Sequence, residues 1–146
     1  MTGHREFEYT EEQIEALRKY IKRGGFFVAD ACCGFKEFDK SFRGLVKQVF
    51  PKNELIKLPL THKIFHIKYR INAVEYRPIL KKELPEAEKQ TPYLEAVVVN
   101  GRAVLVYSKY DFGCAFEDFP CANCRGIELK SARKLVTNIL LYGMTE

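Results

Sequence analysis

Residues Phe26-Phe27-Val28-Ala29 form a short apolar run with no polar alternation, set between Gly24-Gly25 and Cys32-Cys33-Gly34. A strand with one solvated face alternates, whereas a strand without alternation has to be covered on both faces. The segment before it reads as a helix. Thr10 and Gln13 have capping-box spacing, Tyr9 and Ile14 suit a hydrophobic staple, and Ile14, Leu17, Tyr20 and Ile21 recur at helical intervals. Gly24 and Gly25 supply the left-handed stop. Helix, glycine turn, doubly buried strand and tight turn are the rhythm of a parallel α/β sheet.

The rest of the chain continues that rhythm. A second helix is expected from about Asp39 to Phe50, with Phe42, Leu45, Val46 and Val49 on its apolar face and Pro51 as its stop. Leu55 to Leu58 suits a short strand, and the charged stretch Lys81 to Gln90, with Pro85, suits an exposed loop. Leu94–Val99 and Arg102–Tyr107 flank Asn100-Gly101, the dipeptide favoured by a type I′ hairpin turn. A last helix is expected from about Glu128 to Tyr142, striped by Leu129, Ala132, Leu135, Val136, Ile139 and Leu140. With 146 residues and no repeat or long linker, residues 1–146 read as one domain.

Composition narrows the classes. Hydrophobic residues at 47% and charged residues at 29% are ordinary globular usage, which argues against disorder. No apolar run approaches the roughly 18–20 residues of a membrane helix. The polar start MTGHREFEYTEEQ lacks a secretory h-region. Twenty-four basic against 19 acidic residues give a net +5. That charge is spread along the chain, and its densest stretch, Lys63 to Arg77, is broken by apolar residues, so nucleic acid is not the expected partner. Five cysteines, an odd number, fit a reducing compartment better than a disulfide framework. The cytoplasm is the expected location of the chain as it stands.

All five cysteines fall in two loops, Asp30-Ala31-Cys32-Cys33-Gly34 and Ser108 to Gly126. Open α/β sheets bind ligands at the carboxyl ends of their strands. If the two preceding strands run in the same direction, both loops share that edge, together with Asp30, Asp111 and Glu117. Cys121-Ala122-Asn123-Cys124 has the spacing of a metal knuckle. Cys114, Cys121 and Cys124, with Cys32 or Cys33, are candidate ligands for zinc or another thiolate-bound metal. Adjacent cysteines chelate poorly on an extended chain, where one of the two would face the core. The competing reading is that these residues are small buried hydrophobes and a loop thiol pair. His62 and His66 are four apart but lack a third ligand, and read as ordinary surface or half-buried histidines. No G-x-S-x-G, P-loop or G-x-G-x-x-G occurs.

Met1-Thr2-Gly3-His4, Phe7-Glu8-Tyr9-Thr10, Gly24 through Asp30, Cys32-Cys33-Gly34, Phe38-Asp39 with Phe42-Arg43, Leu58-Pro59-Leu60 with His62, Tyr107-Ser108 with Tyr110-Asp111, Gly113-Cys114, Glu117 and the closing Asn138-Ile139 with Leu141-Tyr142 together resemble the bacterial domain of unknown function 4159. The resemblance runs almost end to end and brings no established reaction with it. It implies a class I glutamine amidotransferase-like scaffold: a three-layer, flavodoxin-like sandwich, with a mostly parallel sheet and the hairpin late in the chain. Such enzymes carry their nucleophile in G-x-C-x-G, which would place Cys32 in that role, with Asp30 replacing the first glycine. Thr2-Gly3-His4 is similar to the turn that helps form their oxyanion hole. Their histidine base lies in H-x-E after a late strand, and Ser108-Lys109-Tyr110-Asp111 has none. A thiol needs a base or a nearby positive charge to become a good nucleophile, and His4 could supply one from the opposite loop.

The expected function is therefore a non-enzymatic module binding a small ligand or a protein partner through Gly3, Asp30, Cys33, Gly34, Asp111 and Glu117. The alternative is a cysteine-dependent hydrolase or a metal-supported enzyme. Members of this family usually have further elements ahead of the T-G-H turn. The resemblance thus implies a C-terminal portion of a larger domain, an exposed edge near Phe26–Ala29, self-association through it, and an upstream region able to carry a targeting signal.

Overall fold

The computed structural model describes residues 1–117 and 121–146. Its strands are β1 (Thr2–Gly3), β2 (Phe27–Ala31), β3 (Leu55–Lys57), β4 (Glu95–Val99) and β5 (Arg102–Ser108), and its helices are α1 (Glu11–Lys22), α2 (Lys36–Val49), α3 (Pro78–Glu83) and α4 (Leu129–Thr145). The strands form one sheet in the order β1-β2-β5-β4-β3. β1, β2 and β5 run parallel, while β5-β4 and β4-β3 are antiparallel. The sheet is thus mixed, not mostly parallel as expected. The hairpin is the cause: Asn100 (φ 51°) and Gly101 (φ 80°) reverse the chain within two residues, which permits only an antiparallel neighbour.

The first helix begins as its sequence dictates. Thr10 Oγ1 accepts from the Gln13 N–H at 3.3 Å, and Gln13 Oε1 accepts from the Thr10 N–H at 2.9 Å. Ile14, Leu17 and Ile21 join the core, but Tyr20 is exposed, with its hydroxyl donating to the Phe26 carbonyl at 3.0 Å. α1 and α2 cover one face of the sheet, where Phe38, Phe42, Leu45, Val46 and Val49 meet Ala29, Ala31, Leu105 and Tyr107. Arg43 of α2 forks onto Glu95 of β4 at 3.0 and 2.8 Å, and the Tyr107 hydroxyl donates to Asp39 at 2.9 Å. Burial of Glu95 is thereby matched by a bidentate cation.

The other face is covered by α4 and by residues 58–80, with Ala132, Leu135, Ile139 and Tyr142 packed on Ala96, Ala103 and Val106. The stretch expected as a loop from Lys81 begins instead inside α3, which Pro78 opens at its first turn and Leu80 anchors in the core. β1 covers only Asp30 and Ala31 on the outer side of β2. Phe26, Phe27 and Val28 are half-buried rather than laid open, with Phe26 against Tyr142 and Phe27 against Phe42. No helix among the described residues is long and apolar enough to cross a membrane.

Candidate metal centre

β2 and β5 are parallel neighbours, with Asp30 opposite Ser108, so the loops that leave them emerge at the same edge. After Ala31 the chain turns through a 3-10 segment, Cys32–Gly34, in which Cys33 (φ 52°) and Gly34 (φ 67°) are both left-handed. Only glycine fits at 34, because a Cβ there would lie 2.8 Å from Arg125 Cβ and 3.1 Å from the Arg125 carbonyl. After β5, residues 121–127 are stitched back to the same edge. The Arg125 N–H donates to the Cys33 carbonyl at 3.2 Å, the Asp111 N–H to the Arg125 carbonyl at 3.1 Å, and the Ile127 N–H to the Asp111 carbonyl at 2.8 Å.

The five thiols meet there, all free. Cys32 Sγ lies 3.6 Å from Cys114 Sγ, Cys33 Sγ lies 3.8 Å from Cys114 Sγ, and Cys33 Sγ lies 3.6 Å from Cys121 Sγ. Cys124 is fully buried, its thiol 3.6 Å from Asp111 Oδ2. The expectation that one of the adjacent cysteines faces the core fails, because the segment is not extended. The left-handed turn at Cys33 swings both thiols toward the Cys114 loop. Cys32, Cys33, Cys114 and Asp111 form one group of donor atoms within 4.8 Å of one another, and Cys33, Cys121 and Cys124 form another. Two sulfurs on one tetrahedral ion, each about 2.3 Å from it, sit about 3.8 Å apart. The sulfur spacings match that edge.

Asp111 is the hub. Its buried carboxylate accepts from the Cys33 N–H and, at 2.8 Å, from the Cys114 N–H. Burial opposes its ionisation, but these bonds and those from the Cys114 and Cys32 thiols outweigh it and hold the carboxyl below its ordinary range. Asp30, also buried, accepts from the Phe112 and Gly113 N–H groups at 3.3 and 3.2 Å. Burial and then the Asp111 charge raise it to about 6. Burial likewise pushes the Cys32, Cys114 and Cys124 thiols up, Cys32 to about 12, with the Asp111 charge adding to it. As free thiols they are poor nucleophiles, and a bound cation reverses that balance by taking them as thiolates.

The remaining expected residues divide. His4 Nε2 lies 3.1 Å from Cys32 Sγ, so the T-G-H turn does reach the cysteine loop. Gly3 pairs with Ala31, and a Cβ on it would lie 2.7 Å from the Phe38 ring. Glu117 is exposed and belongs to neither donor group. His62 caps the 3-10 turn Lys63–Phe65 through Nδ1, and His66 contacts the Leu60 carbonyl, so neither joins the site. Arg77 was not singled out from the sequence. Its guanidinium donates to the carbonyls of Cys121 and Cys114, each at 3.3 Å, tying both cysteine segments together. The segment's only sequence signal is an arginine before Pro78, which is too common to identify it.

No curated protein matches the chain significantly. The family model described as domain of unknown function (DUF4159) matches residues 1–144. That match spans nearly the whole chain, both cysteine loops included, and the chain therefore belongs to the DUF4159 family.

Proposed function

We propose that this protein is a metal-binding module whose ligands are the thiolates of Cys32, Cys33, Cys114, Cys121 and Cys124 and the carboxylate of Asp111. One observation carries the reading: five free thiols from two loops, up to 92 positions apart, converge, four of them linked by sulfur spacings of 3.6–3.8 Å and Cys124 within 4.8 Å of Cys33 and Cys121. Thiolates select zinc and other soft or borderline cations over magnesium or calcium. Ordering such donors before the ion arrives favours tight binding, since little chain entropy remains to be lost. The function is binding rather than catalysis, on a scaffold we read as three-layer, flavodoxin-like and related to the amidotransferases. The parallel β1-β2-β5 unit and helices on both faces support that reading. Free thiols on this scale suit a reducing, cytoplasmic setting.

The contact between Cys32 and His4 favours a second reading, a cysteine hydrolase. Against it stands the Cys32 thiol itself, held at about 12 by burial and carboxylate charge where a nucleophile needs the opposite. Elemental analysis of protein purified under reducing conditions separates the two. The metal-binding reading expects stoichiometric zinc or a similar cation, at lower content in Cys121→Ser. Metal-free protein that also takes up none when supplied would overturn it.

A further inference from the structure

We propose that the cluster is built for two metal ions sharing the Cys33 thiolate, one in a closed shell and one with an open coordination position. This rests on the metal-binding reading and adds the number of ions and the state of each. Among the described residues six donors converge: Cys32, Cys33, Cys114, Cys121, Cys124 and Asp111. A single tetrahedral ion takes four. The donors are not arranged as four ligands with two bystanders. They fall into two groups, each with all its donor atoms within 4.8 Å of one another, and Cys33 is the member common to both. Its sulfur touches Cys114 of one group at 3.8 Å and Cys121 of the other at 3.6 Å.

The backbone marks the same residue. Among the described residues, Cys33 and Asn100 are the non-glycine positions with positive φ, and Asn100 is in a hairpin turn that calls for it. A cysteine held left-handed is strained, and such outliers concentrate where a side chain has to be aimed. The left-handed turn aims the Cys33 sulfur between the two groups. A thiolate sulfur has lone pairs enough for two cations.

Two tetrahedra joined at one corner offer seven corners, and six donors leave one empty. The group of Cys32, Cys33, Cys114 and Asp111 is complete, as in structural sites. Among the described residues, the group of Cys33, Cys121 and Cys124 has three ligands, the count of sites that keep a position for an incoming donor. Cys33 and Cys121 are half-buried, and Ala122 and Asn123, between the last two thiols, are exposed, so solvent reaches this half. The ligand it takes is an exchangeable monodentate donor: water, or a small anion or thiolate.

The test is a cobalt(II) titration of the reduced, metal-free full chain, followed by the visible absorption of tetrahedral cobalt, with zinc loading counted by native mass spectrometry. Two ions per chain are expected. Azide added to the loaded protein should shift the bands of one ion and leave the other unchanged. The double variant Cys121→Ser/Cys124→Ser should bind one ion, in a form indifferent to azide. An endpoint of one ion in the unaltered chain would overturn the shared pair while leaving metal binding intact, and an endpoint of zero would overturn both. Two ions with no response to azide would overturn the open position. Two ions in the double variant would overturn the assignment of Cys121 and Cys124. The unaltered chain's endpoint does not depend on any variant folding.

Discussion

The backbone N–H of Cys33 donates to the carboxylate of Asp111 across 78 positions of sequence, and the same carboxylate accepts the N–H of Cys114 at 2.8 Å. One buried acid thus fixes both cysteine loops at the edge of the sheet. Asp111→Ala removes the acceptor for both N–H groups. At about 1–3 kcal/mol for each buried donor left unpaired, a loss of about 3 kcal/mol is expected. At roughly 2–4 °C per kcal/mol, that lowers Tm by about 6–12 °C. Asp111→Asn keeps an acceptor oxygen and should recover much of that stability without recovering metal affinity. Melting and zinc titration of the two variants check this, and equal behaviour of Asp111→Ala and the unaltered chain would remove Asp111 from its central place.

The Cys32–His4 contact predicts a particular failure of reactivity. Burial and the Asp111 charge raise the thiol to about 12, so in the metal-free protein Cys32 alkylation by iodoacetamide should rise steadily with pH through 9. A nucleophile paired with its base would instead show a plateau near neutrality that disappears in His4→Ala. Mass-mapped alkylation rates between pH 5 and 9 distinguish the two.

Asn138 is buried in α4 among apolar neighbours, and it is satisfied there. Its Oδ1 accepts from the Tyr69 N–H at 2.9 Å, and its Nδ2 donates to the carbonyls of Ile64 and Tyr69, each at 2.8 Å. It therefore pins the turn at 64–69 to the helix. Asn138→Ala leaves three backbone groups without partners and should cost about 2–4 kcal/mol, with no direct effect on metal stoichiometry. A thermal melt within 2 °C of the unaltered chain would contradict this.

His62 gives the fold a pH dependence of known sign. Its Nδ1 accepts from the Ile64 N–H at 3.3 Å, and its ring stands 5.3 Å from that of Tyr142. Burial lowers its pKa below the ordinary 6.5. Its folded-state value lies under the unfolded one, so the contribution is complete above about pH 6.5 and is lost as pH falls below it. His62→Asn keeps a side-chain cap that does not titrate. The difference in Tm between the two proteins should therefore shift in favour of the asparagine variant between pH 7.5 and pH 5. A constant difference would show that His62 does not titrate against the fold.

Local signals were the legible ones. The Thr10–Gln13 box, the Gly24 stop and the Asn100-Gly101 turn are set by residues within a few positions of one another, and each forms as read. The meeting of the two cysteine loops was also legible, because it follows from two parallel strands. What needed coordinates depends on contacts distant in sequence. The second antiparallel pair, β3 with β4, forms where the chain returns after residues 58–94, a stretch with little periodicity. Asn138 finds its partners on the Tyr69 and Ile64 backbone, 69 and 74 positions away. Cys32 and Cys33 read as a pair of which one faces the core, since nothing local announces a left-handed cysteine. Arg77 depends on carbonyls 37 and 44 positions away.

The most direct measurement is the melting temperature of the reduced, metal-free chain with and without zinc. A ligand that binds only the folded state at about 1,000 times its Kd adds about 4 kcal/mol. At roughly 2–4 °C per kcal/mol, a rise of about 8–16 °C is expected, together with loss of thiols titratable under native conditions. An unchanged melting temperature with all five thiols still titratable would contradict the metal-binding account.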